Sequence, residues 1–194
     1  MVIPLALTTI RAAESGDSDE QRLRSAFERL SKDDITALED VYDVCANDVY
    51  GLALWSTGSQ ADASDIVQEV FLKLARKRRS LAAIQKPRSY ILQITQRLGI
   101  DFFRNRQRRM KQEEPISLLE PLFMDQQANQ DDRIQLHRAI AKLNPRQREV
   151  LYLRYFVGLS FSEIAEVSDL NLFTAAGRCR LAVQRLRILL RRKG

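Results

Sequence analysis

The stretch FSEIAEVSDLNLFTAAGRCRLA, Phe161–Ala182, reads as two short helices joined by a tight break, the second of them rich in arginine. Ile164 faces the partner helix, and Ala165 is small where the two helices cross. Ser168-Asp169-Leu170 makes the turn. Asp169 stands where a left-handed residue is usually wanted; glycine adopts that conformation without cost, and aspartate tolerates it better than most residues. Asn171 is a natural cap for the second helix. On that helix Ala175, Cys179, Ala182 and Leu186 share the inward face, while Phe173, Ala176, Gly177, Arg180 and Gln184 point outward. This is the plan of a helix-turn-helix whose second helix enters a DNA groove. Its outward face is sparse, because only Arg180 and Gln184 are strong donors there. Arg178, Arg185, Arg187, Arg191 and Arg192 lie around the sides and towards the end, within reach of phosphates. The same periodicity also suits a helical hairpin with a solvated basic face.

Outward from this stretch, the 194 residues read as almost entirely helical, with few glycines (7) and prolines (5). Apolar content of 45% supports real cores, and a net charge of +6 suits a polyanionic partner. Cys45 and Cys179 form no Cys-x-x-Cys or Cys/His cluster, so they read as reduced apolar packers in a cytoplasmic protein. The first 19 residues form a loose tail. Their apolar run lacks the basic flank of a secretory signal and the ~20 residues of a membrane span.

Helices are expected at about 20–30 and 33–56, the second packing through Leu38, Val41, Tyr42, Cys45, Val49 and Leu52. STGSQADAS breaks the pattern over 56–64, and a new helix starts near Ser64 with Asp62 and Ser64 as candidate caps. This helix, DIVQEVFLKLARK, buries Ile66, Val67, Val70, Phe71 and Leu74. Asp65, Gln68, Glu69 and Leu72 share an exposed face, three and four residues apart. After a basic loop, Pro87 opens PRSYILQITQRLGIDFFRNRQRR, packing through Ile91, Ile94, Leu98 and Phe102 and showing Gln93, Gln96, Arg97 and Asn105 on its other side. The helix ends in a cationic run: Arg104, Arg106, Arg108, Arg109 and Lys111. Residues 113–132 then carry acids and neither lysine nor arginine, the composition of a flexible linker between two domains. Helices resume at 133–142, 145–156, 161–167 and 171–191. The fold expected is all-α: a helical domain over 20–112, the acidic linker, and a helix-turn-helix domain over 133–194.

No P-loop, paired-histidine metal motif or nucleophile elbow appears, and the single histidine, His137, sits in an amphipathic helix as a structural residue. Enzyme chemistry, a metal and a cofactor are not expected.

LNPRQREVLYLRYFVGLSFSEIAE, Leu143–Glu166, closely resembles the promoter-reading C-terminal domain of bacterial sigma factors, above all the small extracytoplasmic-function (ECF) group. Pro145, Arg148, Val150, Leu151, Arg154, Gly158, Leu159, Ser160, Phe161, Glu163, Ile164 and Ala165 carry the match. LuxR-type regulators share part of this pattern. DASDIVQEVFLKLARK resembles the polymerase-binding helix of the same ECF group through Asp62, Ala63, Asp65, Ile66, Val67, Gln68, Glu69 and Phe71, and no LuxR-type regulator has a counterpart to it. KPRSYILQITQRLGIDFFRNRQRR resembles the next family helix, with Tyr90 in place of the usual tryptophan.

The resemblance implies a sigma factor whose partners are the RNA polymerase core, through its β′ clamp helices and β flap, and promoter DNA, with neither a membrane nor a small-molecule substrate. Asp65, Gln68, Glu69 and Leu72 would dock on polymerase. Lys86, Arg88, Gln93, Gln96, Arg97 and Arg104 would hold the unpaired strand of the −10 element, where Tyr90 either stacks on a base or belongs to the core. Asn171, Thr174, Arg178, Arg180, Gln184 and Arg185 would meet the −35 element. The linker either imitates RNA in the polymerase exit path or is a plain tether. Family members are often held inactive by an anti-sigma protein. The alternative function is a DNA-binding regulator that acts without the polymerase core, kept open because the family's Gly-Thr-Val-Lys-Ser-Arg is replaced here by Phe173-Thr174-Ala175-Ala176-Gly177-Arg178.

Overall fold

The structure, a computed structural model, describes residues 16–109 and 130–191. The expected tail up to residue 15, most of the acidic linker, Lys111, Arg192 and the side chains of Arg106, Arg108 and Arg109 lie outside the described residues. Eight α-helices are described: α1 Gly16–Ser31, α2 Ala37–Thr57, α3 Gln60–Arg76, α4 Pro87–Arg109, α5 Gln130–Ala141, α6 Pro145–Tyr155, α7 Phe161–Val167 and α8 Leu172–Arg191. A short 3₁₀ helix, Arg78–Ala83, lies in the basic loop before α4.

The break between α2 and α3 is shorter than expected. Gly58 takes a left-handed conformation (φ 71°) and returns its N–H to the Leu54 carbonyl at 2.7 Å. Ser59 then caps α3 by accepting from the Asp62 N–H, so α3 starts at Gln60. Asp62 sits in the first turn, where a carboxylate suits the positive end of the helix dipole, and Ser64 is inside the helix. Tyr42, expected in the core, is exposed and lies against Phe71 with ring centroids 5.2 Å apart. Every residue from Gly51 to Gly58 is buried, including Ser56 and Thr57. A helix end without a wet face must be covered from all sides. Here α2 packs against α1, α3, α4 and α6.

In the second region Asn144 and Gln147 form a reciprocal capping box with Pro145 in the first turn of α6, and Ser160 and Glu163 do the same for α7. Asp169 adopts the left-handed conformation expected of it, with φ 52°. Asn171 accepts from the Thr174 N–H at 2.7 Å. Ile164, Ala165, Ala175, Cys179 and Ala182 are buried between α7 and α8 and their neighbours.

The two regions share one hydrophobic core. The Trp55 ring packs on Tyr152 and Phe156, with centroids 5.6 and 5.1 Å away. Gly51 makes this approach possible, since a Cβ there would overlap the Tyr152 ring. Arg148, only 1% exposed, donates to the carbonyls of Trp55 at 2.6 Å and Ser56 at 3.0 Å. These carbonyls belong to the last turn of α2, which lacks partners within its own helix, so Arg148 satisfies from a distant segment the negative end of that dipole. Burial lowers the Arg148 pKa to about 10, which leaves it charged at neutral pH. Its neighbour Glu149, 2% exposed, accepts from the Ser56 hydroxyl at 2.8 Å and lies 3.5 Å from the Gln96 amide nitrogen. The expectation of two domains joined by a tether alone did not include this seam, because helical periodicity does not say which apolar surface meets which.

Glu149 carries a pH prediction. Burial raises its pKa, outweighing the hydrogen bonds from Ser56 and Gln96 and the charges of Arg146 and Arg148. A carboxyl with a raised folded pKa adds its stability below the ordinary carboxylate range and loses it as pH rises through the folded value. Glu149→Gln should therefore raise stability near pH 7 by on the order of 1 kcal/mol and leave little difference at pH 4. Thermal melts across that range check it; a variant less stable than wild type at pH 7 would refute it.

Candidate functional site

Three surfaces collect the expected site residues. The first is a groove between α3 and α4. Asp65, Gln68, Glu69 and Leu72 line it from α3, and Leu98, Asp101, Phe102 and Asn105 from α4, around a volume of about 480 Å³. The 3.6-residue repeat turns Ile66, Val70 and Leu74 into the core and leaves the four α3 groups outside. The α3 half was legible in the sequence. The α4 half was not, although the i, i+4 pairs Leu98–Phe102 and Asp101–Asn105 carried its signal. Carboxylates on both walls over an apolar floor suit a cationic, amphipathic partner helix. Arg76 stands 3.9 Å from Glu69, a loose exposed pair that leaves this carboxylate accessible.

The second surface runs from the loop before α4 along that helix. Arg97 and Arg104 are exposed. Lys86 pairs with Glu166 of α7 at 2.6 Å, and Gln93 donates to the Glu166 carbonyl at 3.4 Å. Gln96, expected on the outer side of α4, is buried in the seam beside Glu149. Arg88, expected to face a nucleic-acid strand, is half-buried and forks onto Asp48 of α2 at 2.6 and 3.2 Å. Tyr90 packs edge-on to Phe27, with centroids 6.4 Å apart, which places it with the core. These five residues meet neighbours on α1, α2, α6 and α7, so the polar face of α4 is narrower than its sequence suggests.

The third surface is the outer side of α8. Arg180, Gln184 and Arg185 are exposed, and Thr174 and Arg178 are partly so. Burial lowers the Arg178 pKa, with nearby Arg146 adding to the effect. The side-chain oxygen of Asn171 is occupied by its cap. Gly177 is open: a Cβ there would meet nothing within 4 Å, so packing does not demand the glycine. Arg154, which matched the family pattern without an assigned task, lies 5.0 Å over the Phe161 ring and donates to the Leu159 carbonyl, holding α6 to the start of α7. Among the described residues no cluster of His, Cys, Asp and Glu is arranged to hold a metal.

Residues 41–109 match Sigma-70 region 2 and residues 133–186 match Sigma-70, region 4. RNA polymerase sigma factor SigV of Bacillus subtilis (strain 168) is 32% identical over 144 residues, 74% of this chain and 84% of the relative. ECF RNA polymerase sigma factor SigW of the same organism is 24% identical over 184 residues, 89% of this chain and 98% of the relative. In fold, the chain is similar to the sigma factor RpoE crystallised with the anti-sigma factor NepR from Bartonella quintana. The TM-score is 0.66 at 20% identity, covering 79% of this chain and 96% of that one.

Proposed function

Because this chain belongs to the ECF group of the sigma-70 family of RNA polymerase sigma factors, we propose that its three surfaces divide the work of promoter-specific initiation. The groove of Asp65, Gln68, Glu69 and Leu72, widened by Asp101 and Asn105, docks on the β′ clamp helices of the core. The α4 surface, with Arg97 and Arg104 and the displaceable Lys86 and Gln93, holds the unpaired −10 strand in a cationic groove. The outer side of α8 meets the −35 duplex, with the β flap of the core supporting the second region. No catalytic residue is needed, since the chemistry is that of the polymerase. Among the described residues no helix is long and apolar enough to cross a membrane, and we place the chain with the polymerase in the cytoplasm. An anti-sigma protein is a further partner, and the closed arrangement of the two regions is a form that such a protein could hold.

The observation that carries this reading is the acidic groove, which a DNA-binding regulator acting alone would not require. Run-off transcription with purified core and mapped start sites tests it. Initiation at defined sites is expected. Sequence-specific binding by the chain alone, without initiation in the presence of core, would favour the regulator, a reading kept alive by the few donors on α8.

In the closed arrangement Glu166 occupies Lys86 and Gln93, and Glu149 occupies Gln96, so the −10 strand and the helix-turn-helix compete for one surface. Glu166→Arg removes the exposed pair. Binding of a −10-type single-stranded oligonucleotide to the full chain without core should tighten by about two- to threefold, the scale of an exposed ion pair. Fluorescence anisotropy reads the change, and weaker binding would speak against competition.

A further inference from the structure

Phe173 has no place in the roles assigned so far. It is 86% exposed, whereas no other large apolar residue among those described exceeds the 55% of Leu181. Phe173 is the second residue of α8, and Asn171 caps the turn before it. Phe173, Gly177, Arg180 and Gln184 follow one another at intervals of four, three and four residues, so they form a single stripe along the outer side. The buried residues Ala175, Cys179 and Ala182 lie on the opposite side. The stripe therefore begins with an aromatic ring, passes a bare glycine, and ends in two donors.

The first residues of the second helix of a helix-turn-helix are those that meet base edges. A phenyl ring has neither a donor nor an acceptor to offer there. Of the groups that bases expose in the major groove, the 5-methyl of thymine is the apolar one. Ala176 and Gly177 beside the ring are too small to hold it off the groove floor, and Gly177 leaves open space. Arg180 within the stripe and the exposed Arg185 and Arg187 beside and beyond it are cations, which favours a duplex over an apolar protein surface as the occupant.

We propose that Phe173 reads the 5-methyl group of a thymine in the −35 duplex, so that α8 selects in part by apolar contact. This rests on the reading of α8 as the −35 reader. It resolves the sparseness of the helix: the missing donors are replaced by a methyl sensor, with Arg180 and Gln184 supplying the polar contacts further along.

The test uses holoenzyme assembled from the full chain and core polymerase. A promoter library randomised in the −35 region gives the preferred duplex. Each thymine in it is then replaced by deoxyuridine, which removes the methyl and leaves every hydrogen-bonding group in place. At one position the replacement should weaken wild-type binding about fourfold, the worth of burying one methyl-sized group. Phe173→Ala should lose a similar factor on the thymine duplex and become indifferent to deoxyuridine there. A deoxyuridine loss that persists undiminished in Phe173→Ala, or a preferred duplex without a methyl-dependent position, overturns the proposal and leaves the −35 reading standing. Absence of any −35 preference overturns both. A Phe173→Ala variant that loses core binding with unchanged base selection would place the ring on a protein surface, and also overturns it. The exposure of Phe173 makes the substitution harmless to the fold, which circular dichroism verifies.

Discussion

Core polymerase should no longer retain the chain once Asp65 and Glu69 are both replaced by arginine. Each substitution changes a side chain by two charge units, so the groove wall that faces the partner turns from acidic to basic. Coupling energies for close interfacial charge pairs reach several kcal/mol, and reversal adds repulsion to the lost attraction. We expect affinity for core to fall by at least about 100-fold, read by co-purification or by titration of labelled chain. The fold should survive, because Asp65 is exposed, Glu69 is partly so, and α3 is anchored by the buried Ile66, Val70 and Leu74 on its other side. Arg76, near Glu69 in the native chain, is itself exposed and can swing away from a new arginine. Undiminished retention by core, with unchanged circular dichroism, would remove the groove from the docking surface.

The seam between the regions should part when Arg148 is replaced by alanine. The substitution removes the donor of the two hydrogen bonds to the α2 carbonyls and leaves those carbonyls and the side chain of Glu149 without their neighbouring charge. The buried position excludes water from taking over while the seam is closed. The expected cost is about 2–4 kcal/mol. Trp55, the only tryptophan of the chain, is 2% exposed against Tyr152 and Phe156, and its emission reports the seam directly. Opening should shift that emission to the red with helical circular dichroism largely kept, since α1 to α4 retain their own core. Arg148→Lys keeps the charge but loses the planar fork, so an intermediate shift is expected. An unaltered emission maximum together with an unaltered melting temperature would show that the seam does not depend on Arg148.

Much of the molecule was legible in its residues. The 3.6-residue repeat placed helices near their observed positions, and α7 was read as Phe161–Val167. The turn between α7 and α8 was read from a single aspartate, because few residues accept a positive φ. The exposed α3 face followed from spacing alone. Where the reading went astray, the neighbour was a distant segment. Gln96 read as exposed from its place on the outer side of α4, yet it is buried beside Glu149 of α6. Arg88, offered as a strand contact by the resemblance, is half-buried and held by Asp48, forty residues earlier. Tyr42 fits the apolar stripe of α2 by position, but it stands at the edge of that stripe and stays exposed beside Phe71.

By itself the sequence determined the all-α class, the helix-turn-helix and the acidic face of α3, which rest on interactions between residues close in the chain, where periodicity, caps and turn chemistry act; the family was legible separately, through the resemblance of its motifs. Only the tertiary structure decided which polar groups remain available to a partner. Arg148, Glu149 and Gln96 owe their burial, and Asp101 and Asn105 their place in the groove between α3 and α4, to contacts across tens of residues. No local pattern encodes such pairings, because they depend on which helix ends are left with unsatisfied carbonyls and which surfaces are smooth enough to meet, as Gly51 is beneath Tyr152.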